Sequence, residues 1–302
     1  MSMRRRLVAV ALCALVAATG CTKHNGSRTA TTVKGNGPFY LSLGDSYATG
    51  TQHTSRSLDE STHNGFADQV TGLAKAKGYD LTLVNLGCGG ASVKSVLRQK
   101  GCGNPAVDGF VDPARSQVDA AVRFIDQHPG RIGLVTVIVG GDVLVGCAPR
   151  PDFAGCVAAA LRTTAPDLRV LLQRLRAATG ASVPIVGLTY PDVFLGAWTW
   201  PGVPHARVLA SRAVYQDVFN PALAAAYATA GATFVDVTAA TGAYQPLDST
   251  TVVQAYGEVP EAVARACDLS LYCLYHDVHA STQGYQLMGE LVVNALPARG
   301  PA

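Results

Sequence analysis

A serine and a histidine stand near opposite ends of this 302-residue chain, each in a setting that suits proton-transfer chemistry. Ser46 lies in Leu43-Gly44-Asp45-Ser46-Tyr47-Ala48, directly after the apolar run Phe39–Leu43. His279 lies in His276-Asp277-Val278-His279-Ala280-Ser281-Thr282-Gln283-Gly284, directly before an apolar-periodic stretch. A hydroxyl is a weak nucleophile at neutral pH and needs a positioned imidazole to take its proton. A fold that brings Ser46 to His279 would own such a pair. The elbow sequence G-x-S-x-G is absent, which argues against the α/β-hydrolase fold.

The elements that must position these residues alternate in type. Strands are predicted at Phe39–Leu43, Leu81–Leu86, Ile132–Val139, Val183–Leu188 and Thr233–Val237. Between them, helical periodicity runs over Gly65–Lys77, with Asn64 as a possible cap. It resumes after Asp112-Pro113, with Val118, Val122 and Ile125 facing inward, and over Pro166–Thr179, where Gly180 stops it. Ala206–Ala230 reads as one long helix or two broken near Pro221, and Gln283–Leu296 as the closing helix. Alternation of this kind predicts a three-layer α/β/α sandwich around a five-stranded parallel sheet. A serine just beyond the carboxyl end of a parallel strand sits where such sheets place their sites.

The first residues read differently. Arg4-Arg5-Arg6, the apolar run Leu7–Ala17 and the small residues before Gly20-Cys21 make an export signal. Its apolar run is too short to span a bilayer, which takes about 20 residues. Three of the 24 cationic residues are those arginines, so removing residues 1–20 leaves 21 against 21 acidic residues. A neutral chain has no electrostatic footprint for nucleic acid, and 48% apolar residues exclude disorder. Cys21 follows Ala18-Thr19-Gly20, which resembles a bacterial lipobox. A membrane lipoprotein anchored through Cys21 is expected, with secretion after nearby cleavage as the alternative. Residues 21–37 read as a flexible tether and residues 38–302 as one domain.

Six of the eight cysteines remain beyond Cys13 and Cys21. An even number in an exported chain implies disulfides. They fall into three sequence-local pairs in loop-like stretches, so Cys88–Cys102, Cys147–Cys156 and Cys267–Cys273 are expected. No spacing resembles a zinc site. No metal and no cofactor are implied, and a monomer is expected.

From Pro38 to Leu296 the chain resembles the SGNH, or GDSL, hydrolases, in particular their exported actinobacterial esterase/lipase branch. Gly44-Asp45-Ser46-Tyr47 matches the first block, whose serine is the nucleophile. Leu86-Gly87-Cys88-Gly89-Gly90-Ala91 is similar to the second, which makes Gly90 an oxyanion donor. Val139-Gly140-Gly141-Asp142 is similar to the third, Tyr190-Pro191-Asp192 is typical of the branch, and His279 with Gly284 matches the fifth. The resemblance implies a flavodoxin-like fold and a Ser46–His279 esterase or lipase acting on a small-molecule ester or lipid.

Two positions depart from the pattern. The family's oxyanion asparagine falls on Asp142, and an ionised carboxylate accepts but does not donate. The family's acid falls on His276, which leaves Asp277 or the His276 carbonyl to orient His279. These departures favour the alternative function, a catalytically weak envelope protein that binds acyl or glycan ligands. Phe194–Trp200 is an apolar loop able to line an acyl groove or to be buried against the domain. Asp45 is expected to support its turn, and the other histidines are expected to be non-catalytic.

Overall fold

The computed structural model describes residues 37–55 and 59–298. The predicted signal, most of the tether and Cys21 lie outside them. Five parallel strands form the central sheet: β1 (Phe39–Gly44), β2 (Thr82–Asn85), β3 (Ile132–Ile138), β4 (Ile185–Leu188) and β5 (Thr233–Val235), in the order β2-β1-β3-β4-β5. β1 and β4 are buried along their whole length and β3 is buried beyond Ile132. This is why they read as continuous apolar runs and not as alternating ones. In register, Leu41 lies opposite Val84 on one side and Val135 on the other.

Helices flank the sheet. Phe66–Leu73 packs against the closing helix Thr282–Asn294, while Gln117–Gln127 and Asn220–Ala228 pack against the long helix Phe153–Thr179. The first strand of the chain lies inside the sheet, so connections leave it in opposite directions and the order reverses between β1 and β3. Open α/β sheets place ligands at the carboxyl ends flanking such a switch. Ser46 follows one of these two strands and Asp142 the other.

Several predicted boundaries move, each for a local reason. Asp112-Pro113 does not open the helix Gln117–Gln127, because Ser116 caps it by accepting the Asp119 N–H. Val118 and Ile125 are buried there, and Val122 is half-buried. Asn64 does not cap the first helix, which starts after Gly65 with no side-chain cap. Pro166 does not begin a helix but sits inside Phe153–Thr179. A proline in a helix interior costs about 3 kcal/mol. The helix persists because Val157, Leu161, Leu168, Leu171, Leu172 and Leu175 form one buried stripe across it. Near Pro221 the chain does not break: a π-turn, Tyr215–Phe219, joins His205–Val214 to Asn220–Ala228, and the proline occupies the first turn of the latter.

The three expected cysteine pairs are bridged, but two are not in loops. Cys147 ends the helix Gly141–Cys147 and Cys156 lies in the next helix; Cys267 and Cys273 lie on Glu261–Leu269 and Tyr272–Tyr275. Among the described residues no helix is long and apolar enough to cross a membrane.

Beyond β4 the chain enters the 3₁₀ segment Val193–Thr199, headed by Asp192. That carboxyl is 1% exposed. Its Oδ2 accepts the Ser211 hydroxyl at 2.8 Å, and its Oδ1 meets no hydrogen-bond criterion with the described residues. Burial pushes the group up to about 7, against the opposing pull of Ser211, the Phe194 and Leu195 N–H groups and Arg212. A carboxyl raised in the folded state contributes stability that is complete below its unfolded value and lost as pH rises through the folded one. Wild-type stability should therefore decline between about pH 4 and pH 8. In Asp192→Asn the total decline across that window should shrink by up to about 4 kcal/mol, from roughly three pKa units at 1.36 kcal/mol each. Denaturant unfolding of both proteins at several pH values measures it, and parallel pH–stability curves would exclude this role for Asp192.

Candidate functional site

The site begins at the end of β1. Gly44 has φ +147, and a Cβ there would lie 1.9 Å from the Ile138 carbonyl oxygen. Only glycine lets β1 stay this close to β3 while turning out of the sheet. Asp45 then donates its N–H to Ile138 O, and its Oδ1 accepts the Tyr47 N–H at 3.0 Å. Its Oδ2 accepts the Tyr190 hydroxyl at 2.5 Å. Burial pushes this carboxyl up to about 6, while Tyr190 and the Tyr47 N–H pull it back. The Ser46 carbonyl is fixed by Thr51 N–H and the Thr49 hydroxyl. Its Oγ makes no hydrogen bond to the described residues.

His279 arrives from the other end of the chain. Four hydrogen bonds tie its loop to the Ser46 loop: Tyr47 Oη donates to Val278 O (2.6 Å), Gln52 Nε2 to Ala280 O (3.0 Å), Tyr285 Oη to Thr51 O (2.9 Å) and His53 N–H to Asp277 Oδ2 (3.0 Å). Behind His279, its carbonyl accepts the Leu271 N–H, beside the Cys267–Cys273 bridge. Ser281 caps the closing helix by accepting the Gly284 N–H.

Asp277 meets His279 despite its short spacing. Asp277 Oδ1 accepts both the His279 N–H at 3.0 Å and the ring Nδ1–H at 2.5 Å. Burial works against its ionisation. The hydrogen bond and attraction of His279, with the His279 and His53 N–H groups, outweigh it and hold the carboxyl below its ordinary value. An ionised carboxylate only accepts, so the ring proton sits on Nδ1 and Nε2 is left as the basic atom. His276 takes a left-handed conformation, φ 57, and stacks on Trp200 at 3.9 Å, leaving Asp277 to face the ring. Asp59, which sequence reasoning missed, brings an exposed carboxylate 3.8 Å from Nδ1. Asp59, Asp277 and His279 offer ligand atoms within 4.8 Å of one another, but Nδ1 already holds a proton for Asp277.

Two further predicted residues complete the wall. Gly90 has φ +77 in a turn held by the Cys88–Cys102 bridge and by Gly89 N–H to Asn104 O. Its own N–H has no acceptor among the described residues. Asp142 lies in the first turn of Gly141–Cys147 and is exposed at the rim. Partial burial raises its carboxyl above the ordinary value, and the N–H groups of Val143 and Asp142 partly offset this. Ser46, Gly90, Asp142 and His279 all line one cavity of about 590 Å³. Tyr190 and Phe194 share its wall. A hydroxyl, an imidazole with one nitrogen free, and an unengaged backbone N–H around one cavity are the parts an acyl transfer needs.

A profile described as the GDSL-like Lipase/Acylhydrolase family matches residues 42–287. Among curated proteins no sequence matches the chain. Among solved structures, the fold is similar to an extracellular lipase from Streptomyces rimosus, at 18% identity and TM-score 0.54, covering 85% of this chain and 98% of that one. A lipase from a goat rumen metagenome gives 13% identity and TM-score 0.53, with 85% and 97% covered. Phospholipase A1 from Streptomyces albidoflavus gives 17% and 0.50, with 86% and 98% covered.

The Nδ1–Asp277 geometry has a spectroscopic consequence. A proton shared across 2.5 Å between an imidazole and a buried carboxylate should resonate far downfield in the proton NMR spectrum. Asp277→Asn should remove that resonance. Its persistence in the variant would mean that another acceptor holds the His279 proton.

Proposed function

Because the chain belongs to the GDSL-like lipase/acylhydrolase family, we propose that it is an exported serine hydrolase of carboxylic esters that uses the loops just described. One observation carries the reading: Ser46 lines the same cavity as His279, whose Nδ1 proton is engaged by Asp277. Ser46 Oγ attacks the ester carbonyl while His279 Nε2 takes its proton. The Ser46 and Gly90 N–H groups receive the oxyanion, an arrangement in which each donor typically supplies about 2.7–4 kcal/mol of barrier lowering. His279 then gives the proton to the leaving alcohol, and a water repeats the cycle on the acyl-enzyme. Asp277 keeps the tautomer and stabilises the imidazolium as it forms.

Export rests on Arg4–Arg6, the short apolar run and three disulfides. In this reading residues 1–20 are the signal, Cys21 carries the lipid, residues 21–37 are the tether and residues 38–302 the hydrolase domain. The second reading, a weakly catalytic ligand-binding protein, draws on Asp142 alone. Its carboxylate replaces the family's amide donor at the oxyanion and opposes the charge that develops there.

Two experiments test these assignments. Ser46→Ala should lose all ester hydrolysis and all labelling by a fluorophosphonate probe, with an unchanged circular dichroism spectrum; labelling that survives would remove Ser46 from the mechanism. Asp142→Asn should raise kcat on a short-chain ester by about tenfold or more at neutral pH, by supplying the missing donor. Because the Asp142 carboxyl is raised, its neutral, donating form persists to higher pH than an ordinary aspartate would allow. The gain should therefore shrink as pH falls. Superimposable pH–rate profiles would show that Asp142 does not act on the oxyanion.

A further inference from the structure

The cavity at Ser46 has a larger neighbour. Val145, Phe194 and Val278 line both it and a second chamber of about 1010 Å³. Part of this chamber's lining is the stretch 148–152, bracketed by the Cys147–Cys156 bridge, and another part is Tyr272 and His276 beside Cys267–Cys273. Arg207 joins two walls by donating to the Ala148 carbonyl at 2.7 Å. Tyr272, packed against Phe194 on one side and Trp200 on another, stands along it with both.

The chemistry of the lining selects the occupant. Sugars are held by exposed aromatic faces, but the Trp200 indole is stacked on His276 at 3.9 Å and on Tyr272 at 4.6 Å. Of the polar side chains in the lining, Arg207 is engaged by the Ala148 carbonyl, Asp152 by the Gly155 N–H and Ser211 by Asp192. Apart from these, Arg150 and His276, the lining consists of ring edges, prolines and aliphatic side chains, which suit an alkyl chain. Each methylene moved from water into such surroundings multiplies binding by about fourfold. We propose that the second chamber is a subsite for a long unbranched alkyl chain of the substrate, which reaches it from Ser46 past Phe194. The inference rests on the hydrolase reading for the position of the reacting carbonyl. The chain belongs to either the acyl or the alcohol part of the ester, and the two are separable by experiment.

The test has a binding arm and a kinetic arm. Trp200 is one of two tryptophans and lines the chamber, so a bromine-substituted stearate bound there quenches its fluorescence. In Ser46→Ala protein, with the stearate below its critical micelle concentration, quenching should saturate, and palmitate but not acetate should compete. Ala154→Phe, from an exposed position on the chamber wall, should weaken binding about tenfold or more. Ala206→Phe does the same from another wall residue and controls for misfolding of the first variant. On the otherwise wild-type protein, Ala154→Phe should leave kcat/KM for p-nitrophenyl acetate unchanged. A loss of about tenfold or more on p-nitrophenyl palmitate places the acyl chain in the chamber, and the same loss on hexadecyl acetate places the alkyl alcohol there. Unsaturable quenching, an affinity in both filled variants equal to that of the unfilled protein, or an equal loss on acetate and palmitate would overturn the proposal. Saturable, chamber-dependent binding without turnover of any ester would leave the subsite standing and sink the hydrolase reading instead.

Discussion

The site depends on a clasp between two loops more than 220 residues apart in the chain. Tyr47, Gln52, His53 and Tyr285 supply its four hydrogen bonds. Each bond contributes a modest net amount, about 1 kcal/mol, yet together they fix the one spatial relation that neither loop can set alone. The clasp needs a rigid base on both sides. On the serine side this is the Gly44 turn pressed against Ile138; on the histidine side it is the Ser281 cap and the Leu271–His279 hydrogen bond. Loosening either base moves the imidazole relative to the hydroxyl, and small misplacements of reacting groups are costly in rate.

Around the clasp, carboxyl groups are placed in deliberately different surroundings. Asp277 is held ionised by its hydrogen bonds despite burial, whereas Asp45 and Asp192 are pushed up because their hydrogen bonds do not fully offset desolvation. The same residue type thus serves as a charge that orients a ring, as a turn support under the serine, and as the head of the 3₁₀ segment that forms one wall. Asp142 is a fourth case, exposed at the rim beside the cavity where negative charge would develop.

The disulfides follow the cavities. Cys88–Cys102 holds the Gly90 turn, Cys147–Cys156 closes the stretch between two helices, and Cys267–Cys273 backs the histidine loop. All three stiffen connections and leave the sheet untouched. Loops carry function on α/β scaffolds while strands carry packing, and the covalent ties border the segments that line the cavities.

The sheet was legible in the residue pattern. Continuous apolar runs buried on both faces leave little choice of type, and β1 and β3 appear within one residue of where the pattern places them. The sequence also named the candidate site residues, because Ser46, Gly90, Asp142 and His279 each follow a strand or precede a helix in recognisable blocks; that they line one cavity is a property of the fold. Local pairing of the cysteines was legible for the same reason: nearby thiols on a folded turn have few other partners. Tertiary structure alone decided the rest. Whether Asp277, the His276 carbonyl or another group would orient His279 turned on the left-handed conformation of His276, a single dihedral that residue type does not dictate. Pro166 reads as a helix start until the buried leucine stripe on both sides of it is seen to carry the helix through. Asp59 and the Tyr190–Asp45 hydrogen bond have no sequence signal, and of the second chamber the sequence showed only the apolar stretch Phe194–Trp200 and none of the other walls. Each arises where segments distant in the chain converge, and local pattern carries information about neighbours in sequence, not about what the fold brings across from elsewhere.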